Sequence, residues 1–253
     1  MNDNPNLVEL KTRYDRDGFV VVRNFLAPHE LETLMRNLDR YIGEVVPGLP
    51  PTAAFYQDRS RPETLKQMQH MQGDPFFRDY VRDPNWTRLA EALVGEPVKC
   101  ESPEWFNKPP GTEHPTPPHQ DNYYFCLVPP NVVTIWLALD RVDEENGCLR
   151  YVVGSHRRGI RPHGPSHVLG FSQAIADFTD EDESQAISVH LQPGDAVAHH
   201  GETIHLAAAN RSATRNRRAF AMVFEGASVR RDPNAFQRYK QSLQQQHQQL
   251  GIN

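Results

Sequence analysis

Hydrophobic and polar positions divide the chain into a helical first third, a β-rich centre and a helical tail. Over residues 28–42, apolar side chains recur every three or four positions, the spacing that buries one face of a helix. Pro28 stands at the start of this run, where the first turn of a helix tolerates proline. The same spacing predicts three shorter helices, at residues 7–16, 75–82 and 84–94. An apolar, β-branched run predicts a strand between the first two helices, at residues 18–23.

From residue 98 onward the pattern changes to that of strands. Residues 132–140 are almost continuously apolar, which is typical of a central strand buried on both faces. Shorter β-prone runs follow at residues 148–153, 187–191, 196–198, 203–209 and 219–224. Residues 233–249 are rich in glutamine and predict an amphipathic helix that packs on the outside or frays.

These elements predict a single domain that covers residues 1–253 and is mainly β with flanking helices. Its parts are a helical N-terminal region at about 1–97, a β core at about 98–225 and a C-terminal helix at about 233–249. A chain of 253 residues is long enough to bury one sizeable core. No internal repeat or linker interrupts it.

Residues 157–186 are polar, contain several glycines and predict a long loop. A loop of this length in a compact domain is usually functional or mobile. One interpretation is a lid that contacts a substrate through His163, His167, Phe171 and Gln173; the other is a solvated excursion with no such role.

The composition is that of a globular protein, with 38% hydrophobic and 23% charged residues. A net charge of -5 argues against a nucleic-acid binder, and no apolar run approaches the length of a membrane helix. The N-terminus lacks the basic and apolar regions of a secretory signal. Because the three cysteines, Cys100, Cys126 and Cys148, show no paired short spacing, we expect reduced thiols and a cytoplasmic location.

An imidazole and a carboxylate stand two residues apart at His119 and Asp121, just before the β-prone run 122–125. In an extended segment such residues point to the same face, so both side chains can reach one metal ion while Gln120 faces away. Two histidines and one carboxylate with open positions suit non-haem Fe(II) and oxygen chemistry. This interpretation requires a second histidine elsewhere in the chain.

Three histidines crowd one downstream segment, at positions 199, 200 and 205. His205 lies within an apolar run of small residues, and a ligand on a strand is held more rigidly than one on a turn. We therefore predict His205 as the second ligand and keep His199 as the alternative. His200 has the opposite strand parity to His199, so both are not expected to face one metal.

Arginine is concentrated between residues 211 and 218, directly before the apolar run 219–224. Most of these side chains fit a solvated turn. An arginine that enters a buried strand needs a carboxylate partner, because burial of an unpaired charge is costly. A guanidinium group binds a carboxylate through two parallel hydrogen bonds, which makes it a suitable anchor for a dicarboxylate co-substrate.

The order of these motifs resembles that of the phytanoyl-CoA dioxygenase (PhyH) family, whose members are Fe(II)- and 2-oxoglutarate-dependent oxygenases on a double-stranded β-helix. The resemblance begins at 14–26 and continues through His119-x-Asp121 to the turn at 146–149. It then includes Gly-Ser-His at 154–156, Gly194-Asp195 and His205, and it ends at Arg217-Arg218-Ala219. It spans roughly residues 10–225 and implies a jelly-roll, cupin-like core.

The resemblance implies that His119, Asp121 and His205 ligate iron and that Arg217 holds the distal carboxylate of 2-oxoglutarate. Arg218 is the alternative, since one residue appears inserted between Asn210 and the arginine pair. The implied cofactors are Fe(II) and 2-oxoglutarate, and the implied partners are dioxygen and a small-molecule substrate.

Two further residues match family positions near the co-substrate. Trp136 matches a tryptophan that lines the pocket, and Lys66 matches a lysine close to it. The sequence also departs from the family pattern, which often has Gly-Ser after the second histidine. Leu206-Ala207 stands there instead, so one hydroxyl contact to 2-oxoglutarate is missing.

The presence of Asp121 favours hydroxylation over halogenation, because related halogenases lack the carboxylate and bind halide in its place. Three aromatic residues after the motif are candidates for the substrate side of the pocket or for core positions: Tyr123, Tyr124 and Phe125. An alternative function is a cupin-type metalloenzyme that does not use 2-oxoglutarate, either a direct dioxygenase or an isomerase. That class requires no buried arginine anchor.

Overall fold

The computed structural model describes residues 6–50, 52–168 and 171–250, with side chains throughout except at 167, 168, 171, 172 and 245–250. The helices are α1 (Leu7–Asp17), α2 (Pro28–Arg40), α3 (Pro75–Tyr80), α4 (Pro84–Val94), α5 (Asn122–Phe125), α6 (Asp180–Gln185) and α7 (Pro233–Leu250). The first eight strands are β1 (Phe19–Val22), β2 (Ala54–Tyr56), β3 (Leu65–Met68), β4 (Val98–Lys99), β5 (Pro103–Lys108), β6 (Thr116–His119), β7 (Leu127–Val128) and β8 (Val132–Ala138). The others are β9 (Leu149–Val152), β10 (His163–Val168), β11 (Phe171–Ile175), β12 (Ala186–Val189), β13 (Ala196–His200), β14 (His205–Ala207), β15 (Arg217–Gly226) and β16 (Arg230–Arg231).

Two antiparallel sheets form the centre of the described chain. The larger sheet has the order β1-β13-β8-β15-β5-β3-β2, with β4 paired to β15, and the smaller has the order β12-β9-β14-β6. Two-stranded pairs form between β10 and β11 and between β16 and β7. The expectation of a mainly β protein with flanking helices is confirmed.

Strand β8 shows how the layers are stacked. All seven of its residues are buried, as the apolar run 132–140 predicts. Ile135 and Leu137 pack on one face with the helices, in a core that includes Trp86 of α4 and Phe220 of β15. Trp136 and Ala138 lie on the other face, in the apolar layer between the two sheets. The larger sheet is therefore covered by helices on one side and by the smaller sheet on the other.

Residues 157–186 contain more structure than the predicted loop. They form the β10–β11 hairpin and the helix α6, which starts with a capping box between Thr179 and Asp182. Arg161 donates to the carboxylate of Asp182 at 2.6 Å and thereby ties the start of the hairpin to this helix. Glycines and acidic residues gave this segment a loop-like composition, although one of the acidic residues, Asp182, both caps α6 and binds Arg161.

Residues 122–125 are helical, so the expectation of an extended segment here is wrong. Asp121 already has helical backbone angles, φ -57 and ψ -39, and its carbonyl accepts from the amide of Tyr124 at 2.9 Å. The Asn122 side chain closes the turn, because it both accepts from and donates to the backbone of Leu127. These local bonds outweigh the β preference of Tyr-Tyr-Phe.

Among the described residues, no helix has the length and apolar character needed to cross a lipid bilayer.

Gly147 allows the turn before β9 to lie against the end of β14. Its φ of +81 is left-handed, and a Cβ built there would lie 2.5 Å from the carbonyl oxygen of Ala208. We expect Gly147→Ala to lower the free energy of unfolding by about 3 kcal/mol, from backbone strain plus a clash with main chain. Chemical denaturation at equilibrium measures this loss.

Gly95→Ala provides the matched control, because Gly95 has a φ of +88 but nothing within 4 Å of the added Cβ. Its expected cost is only the left-handed strain, about 1 kcal/mol. Equal losses in the two variants would contradict the steric argument.

Candidate metal centre and its cavity

His119 and His205 are cross-strand partners in the smaller sheet. His119 ends β6, His205 begins β14, and the two residues lie opposite each other in the antiparallel register. Their ring centroids are 4.1 Å apart. The Nε2 atoms of both rings lie 3.6 Å from Oδ1 of Asp121. One atom from each of the three side chains could thus reach a single metal ion.

The backbone fixes the orientation of both imidazoles. Nδ1 of His119 lies 2.8 Å from the carbonyl of Pro117, and Nδ1 of His205 lies 3.0 Å from the carbonyl of Thr203. An Nδ1–H that donates to a carbonyl leaves the Nε2 lone pair directed at Asp121, the tautomer that a metal requires. Burial lowers the pKa of both histidines, which favours the neutral, ligating form.

The second oxygen of Asp121 is held separately. Thr134 donates to Oδ2 at 2.8 Å, and Nε2 of His199 lies 3.0 Å from the same oxygen. Burial acts to raise the pKa of Asp121, but its electrostatic interactions with His205, His199 and His119, including the hydrogen bond from His199, outweigh burial and lower the pKa. The carboxylate therefore stays ionised, with Oδ1 left to face the two imidazoles.

His199 orients the carboxylate in this arrangement. Its Nε2–H donates to Asp121, and its Nδ1 accepts from the hydroxyl of Tyr151 at 3.0 Å. Both ring nitrogens are thus engaged with protein atoms. His200 points the other way, with its ring centroid 6.2 Å from that of Tyr14 on α1, as strand parity predicts.

A cavity of about 320 Å³ opens beside the three side chains. It is lined by polar residues, Gln67, Gln69, Glu104, Thr116, Asp121, Thr134 and the three histidines 119, 199 and 205, together with Arg217. Its apolar and aromatic lining consists of Phe106, Tyr124, Phe125, Trp136, Leu149, Ala221, Val223 and Tyr239. The candidate metal site and Arg217 therefore share one cavity.

Arg217 is a buried cation inside this cavity. It begins β15, and its guanidinium carbon lies 5.3 Å from the ring centre of Trp136. Among the described residues, its Nε has no hydrogen-bond partner. Burial lowers the pKa of Arg217 to about 10, so the group still carries its charge at neutral pH. A buried guanidinium with an unused donor suits an incoming carboxylate.

The neighbouring Arg218 lies on the opposite face of β15. Its Nε and Nη2 donate to the carboxylate of Asp140 at 2.7 to 3.2 Å, and its backbone amide donates there at 2.8 Å. This ion pair occupies Arg218 outside the cavity. The sequence did not decide which of the two arginines is the carboxylate anchor. In the structure, Arg217 lies in the cavity and Arg218 binds Asp140 outside it.

Neither of two lysines in this region lines the cavity. Lys66, expected close to the co-substrate, lies on β3, near enough to Lys108 for its charge to act on that lysine. Lys108, which the sequence reasoning missed, is buried opposite Arg217 in the register of β5 with β15. It donates to the carbonyl of Ala208 at 2.6 Å. Its pKa is well below the usual value because of burial and the charges of Arg217 and Lys66.

Some of the aromatic residues predicted to contact the substrate line the cavity, and others pack behind it. Phe125 and Tyr124 line the cavity, whereas Tyr123 stacks on His163 with ring centres 4.0 Å apart. His163 in turn accepts from the backbone amide of Gln120 at 3.3 Å. The His163 side chain therefore supports the end of β6, and the structure does not place it in the cavity wall.

The hairpin candidates are only partly described. The side chains of His167 and Phe171 lie outside the described part of the structure. Gln173 is buried, and its carbonyl accepts from the hydroxyl of Tyr124 at 2.7 Å. Its side-chain oxygen accepts from Ser242 of α7 at 2.8 Å. The C-terminal helix thus packs beside the cavity and contributes Tyr239 to its wall, which no local sequence pattern indicated.

Comparison with known proteins agrees with this geometry. The family model for phytanoyl-CoA dioxygenase (PhyH) matches residues 14–219. The chain belongs to this family. The peroxisomal phytanoyl-CoA dioxygenase of Mus musculus is 26% identical over 84% of the chain and 66% of its own length. The probable phytanoyl-CoA dioxygenase of Caenorhabditis elegans is 27% identical over 81% of the chain and 70% of its own length. The chain thus spans about two thirds of the length of these PhyH relatives.

Solved structures of related proteins have the same fold. SnoN, an epimerase from nogalamycin biosynthesis solved with Fe3+, α-ketoglutarate and nogalamycin RO, is 25% identical. It aligns over 91% of this chain and 88% of its own, with a TM-score of 0.71. EctD from S. alaskensis is 16% identical and aligns over 93% of this chain and 82% of its own, with a TM-score of 0.75. The predicted double-stranded β-helix core of this PhyH protein is confirmed.

Substitutions of the three clustered histidines separate a metal ligand from a supporting residue. We expect His205→Ala to abolish Fe(II) or Co(II) binding, because it removes one of three donor atoms. His199→Gln removes only the support of Asp121, so we expect it to weaken binding by about 10- to 100-fold. Equilibrium dialysis followed by elemental analysis measures both effects.

His200→Gln is the matched control, since this ring faces α1 and should leave metal affinity unchanged. Loss of all metal in the His199 variant, with a full equivalent retained by the His205 variant, would make His199 the ligand instead.

Proposed function

We propose that this PhyH-family protein is an Fe(II)- and 2-oxoglutarate-dependent dioxygenase. It hydroxylates a small-molecule substrate with dioxygen and releases succinate and CO2. The observation that carries the proposal is that two imidazoles and a carboxylate converge in the same cavity as a buried arginine with an unused donor. The related SnoN structure contains Fe3+ and α-ketoglutarate.

The donor set of His119, Asp121 and His205 fits Fe(II). Two neutral imidazole nitrogens and one carboxylate oxygen form the facial ligand set of non-haem iron oxygenases, which leaves positions open for other ligands. The surrounding residues hold this set in place before any metal binds. Thr134 and His199 fix the Asp121 carboxylate, and backbone carbonyls fix the two rings.

Arg217 fits the distal carboxylate of 2-oxoglutarate. The buried guanidinium has a free Nε–H, and Trp136 packs against its face. Binding a carboxylate there would give the Nε–H, which has no partner among the described residues, an acceptor and would neutralise a buried charge. Arg217 makes this end of the cavity cationic, and Lys108, beside it in the strand register, donates to the carbonyl of Ala208. This cationic end also argues against a cupin-type enzyme that uses no dicarboxylate.

The bound iron and keto acid supply the oxidising chemistry, and the residues of the chain provide position and shelter. The Asp121 carboxylate stays ionised, Arg217 sets the direction of the keto acid, and the aromatic wall of Tyr124, Phe125 and Tyr239 restricts water. Exclusion of water protects a reactive site from unproductive oxidation. The substrate enters at this aromatic wall, away from Arg217.

Hydroxylation is the reaction that we propose, because Asp121 occupies the position that halogenases leave free for halide. Epimerisation or ring closure is the second candidate. It is favoured by the likeness to SnoN, an epimerase, and to SnoK, described as a carbocyclase from the same pathway and also 25% identical. All three reactions would use the same cofactors and the same cavity.

We also propose a cytoplasmic location. The three cysteines form no disulfide, which fits a reducing compartment. Several mammalian relatives are named as peroxisomal, and cell fractionation distinguishes the two locations.

Anaerobic titration tests cofactor binding. Fe(II) and 2-oxoglutarate together should give a weak visible metal-to-ligand charge-transfer band with one-to-one stoichiometry. Arg217→Ala should raise the dissociation constant of 2-oxoglutarate by about 10- to 100-fold, the loss expected for charge-assisted hydrogen bonds. Arg218→Ala is the control and should leave that constant unchanged, because its partner is Asp140. A band that never forms in the wild-type protein would refute the proposed function.

Product analysis tests the reaction class. A screen for compounds that stimulate succinate release identifies substrates, and mass spectrometry of the product then distinguishes the candidates. Hydroxylation adds one oxygen atom derived from dioxygen. An isomeric product, or one that has lost two hydrogens, would replace hydroxylation with epimerisation or ring closure.

A further inference from the structure

One carboxyl group in the cavity has no part in the proposed metal and co-substrate sites. Glu104 lies on β5, where it pairs with Ala221 of β15, and Lys108 on the same strand pairs with Arg217. Residues four apart on a strand point to the same face and lie about 13 Å apart at the strand rise. The cavity therefore has a cationic end, at Arg217, and a separate carboxyl group well removed from it.

Glu104 also lies near the candidate metal site. Thr134, which holds Asp121, lies on β8 and pairs with Val223 of β15. Glu104 lies on β5, the strand that pairs with the other edge of β15. Two strand spacings separate β5 from β8, about 10 Å. The negative charge of Asp121 acts on Glu104 over this gap. A molecule that contacts Glu104 would therefore extend toward the metal.

The partners of Glu104 are amides. Nε2 of Gln67 donates to its carboxyl oxygen at 3.3 Å, and the Gln69 side chain is also within hydrogen-bonding reach. Among the side chains that the structure describes, no Lys, Arg or His forms an ion pair with it. Burial, together with Asp121, raises the pKa of Glu104 to about 7. A carboxyl group that is removed from water without a cation is costly to ionise.

We propose that Glu104, with Gln67 and Gln69, binds a protonated amino group of the substrate. This inference rests on the proposed function, which assigns the cavity to a substrate. An ammonium group would supply the cation that Glu104 lacks and donate to the carboxylate and the glutamine oxygens. Nearby aromatic rings favour the same charge, since Phe106, Tyr124 and Tyr239 line this cavity. The substrate class is thus an amine with an apolar or aromatic body.

The test uses benzylammonium as the probe and benzyl alcohol as its neutral counterpart. Each is titrated into the full chain loaded anaerobically with Fe(II) and 2-oxoglutarate, and ligand-observed NMR measures binding. We expect the wild-type protein to bind the amine at least tenfold more tightly than the alcohol. Glu104→Gln should abolish this preference and leave the weak binding of the alcohol unchanged.

Glu101→Gln is the matched control, because Glu101 is exposed three residues before Glu104 and should leave the preference intact. If Glu104→Gln does not fold, Gln67→Lys provides a second test. It places a cation beside Glu104 within the protein and should likewise remove the preference for the amine.

Two results would overturn the inference: equal affinity of the wild-type protein for amine and alcohol, or an undiminished preference in Glu104→Gln or Gln67→Lys. The charge-transfer band reports separately on the proposed function. A band that forms normally while the amine preference is absent refutes the role of Glu104 alone, whereas an absent band refutes the cofactor assignment.

Discussion

The pairing of β6 with β14 is the constraint on which the candidate site depends. It places His119 directly opposite His205, although the two residues are 86 positions apart along the chain. Antiparallel pairing holds opposed side chains close together, and the backbone carbonyls on each strand set the ring tautomers. The third donor depends on a different sheet, because Thr134 and His199 of the larger sheet fix Asp121. The site therefore exists only where the two sheets face each other.

Burial gives the cavity its chemical character. Arg217 at one end keeps positive charge in an environment that disfavours it, while Asp121 and Glu104 are carboxyl groups in the same space. Charges that are poorly solvated interact strongly with ligands of opposite sign. A dicarboxylate, a divalent metal and a cationic substrate would each relieve one of these unbalanced groups.

Elements outside the sheets close the cavity. Helix α5 turns the chain just after His119 and directs Tyr124 and Phe125 inward, and α7 adds Tyr239 from the end of the chain. The β10–β11 hairpin joins these helices, since Gln173 accepts from both Tyr124 and Ser242. Related enzymes on this fold act on very different molecules, and these peripheral elements are where the walls of such cavities can change without disturbing the metal site.

Local sequence determined the features that depend on neighbouring residues. The apolar run 132–140 identified the central strand, helical spacing identified α2, and the His-x-Asp motif with a downstream histidine identified the three side chains that converge. The alternation of side chains along a strand was enough to predict that His199 and His200 face opposite sides. These features follow from short-range periodicity and chemistry, which a single sequence displays directly.

Only the tertiary structure decided which residues share the cavity. The register between β5 and β15 places Lys108 beside Arg217. Arg218 faces the other side of β15, where it binds Asp140. The spacing of these residues in the sequence indicated neither contact. The hydrogen bonds of Asn122 with Leu127 overrode the β preference of residues 122–125, and long-range packing brought Tyr239 to the cavity. Glu104 gave no signal in the sequence, because the side chains that surround it are brought there by the neighbouring strands. Contacts between distant segments leave no local pattern, so they become visible only once the chain has folded.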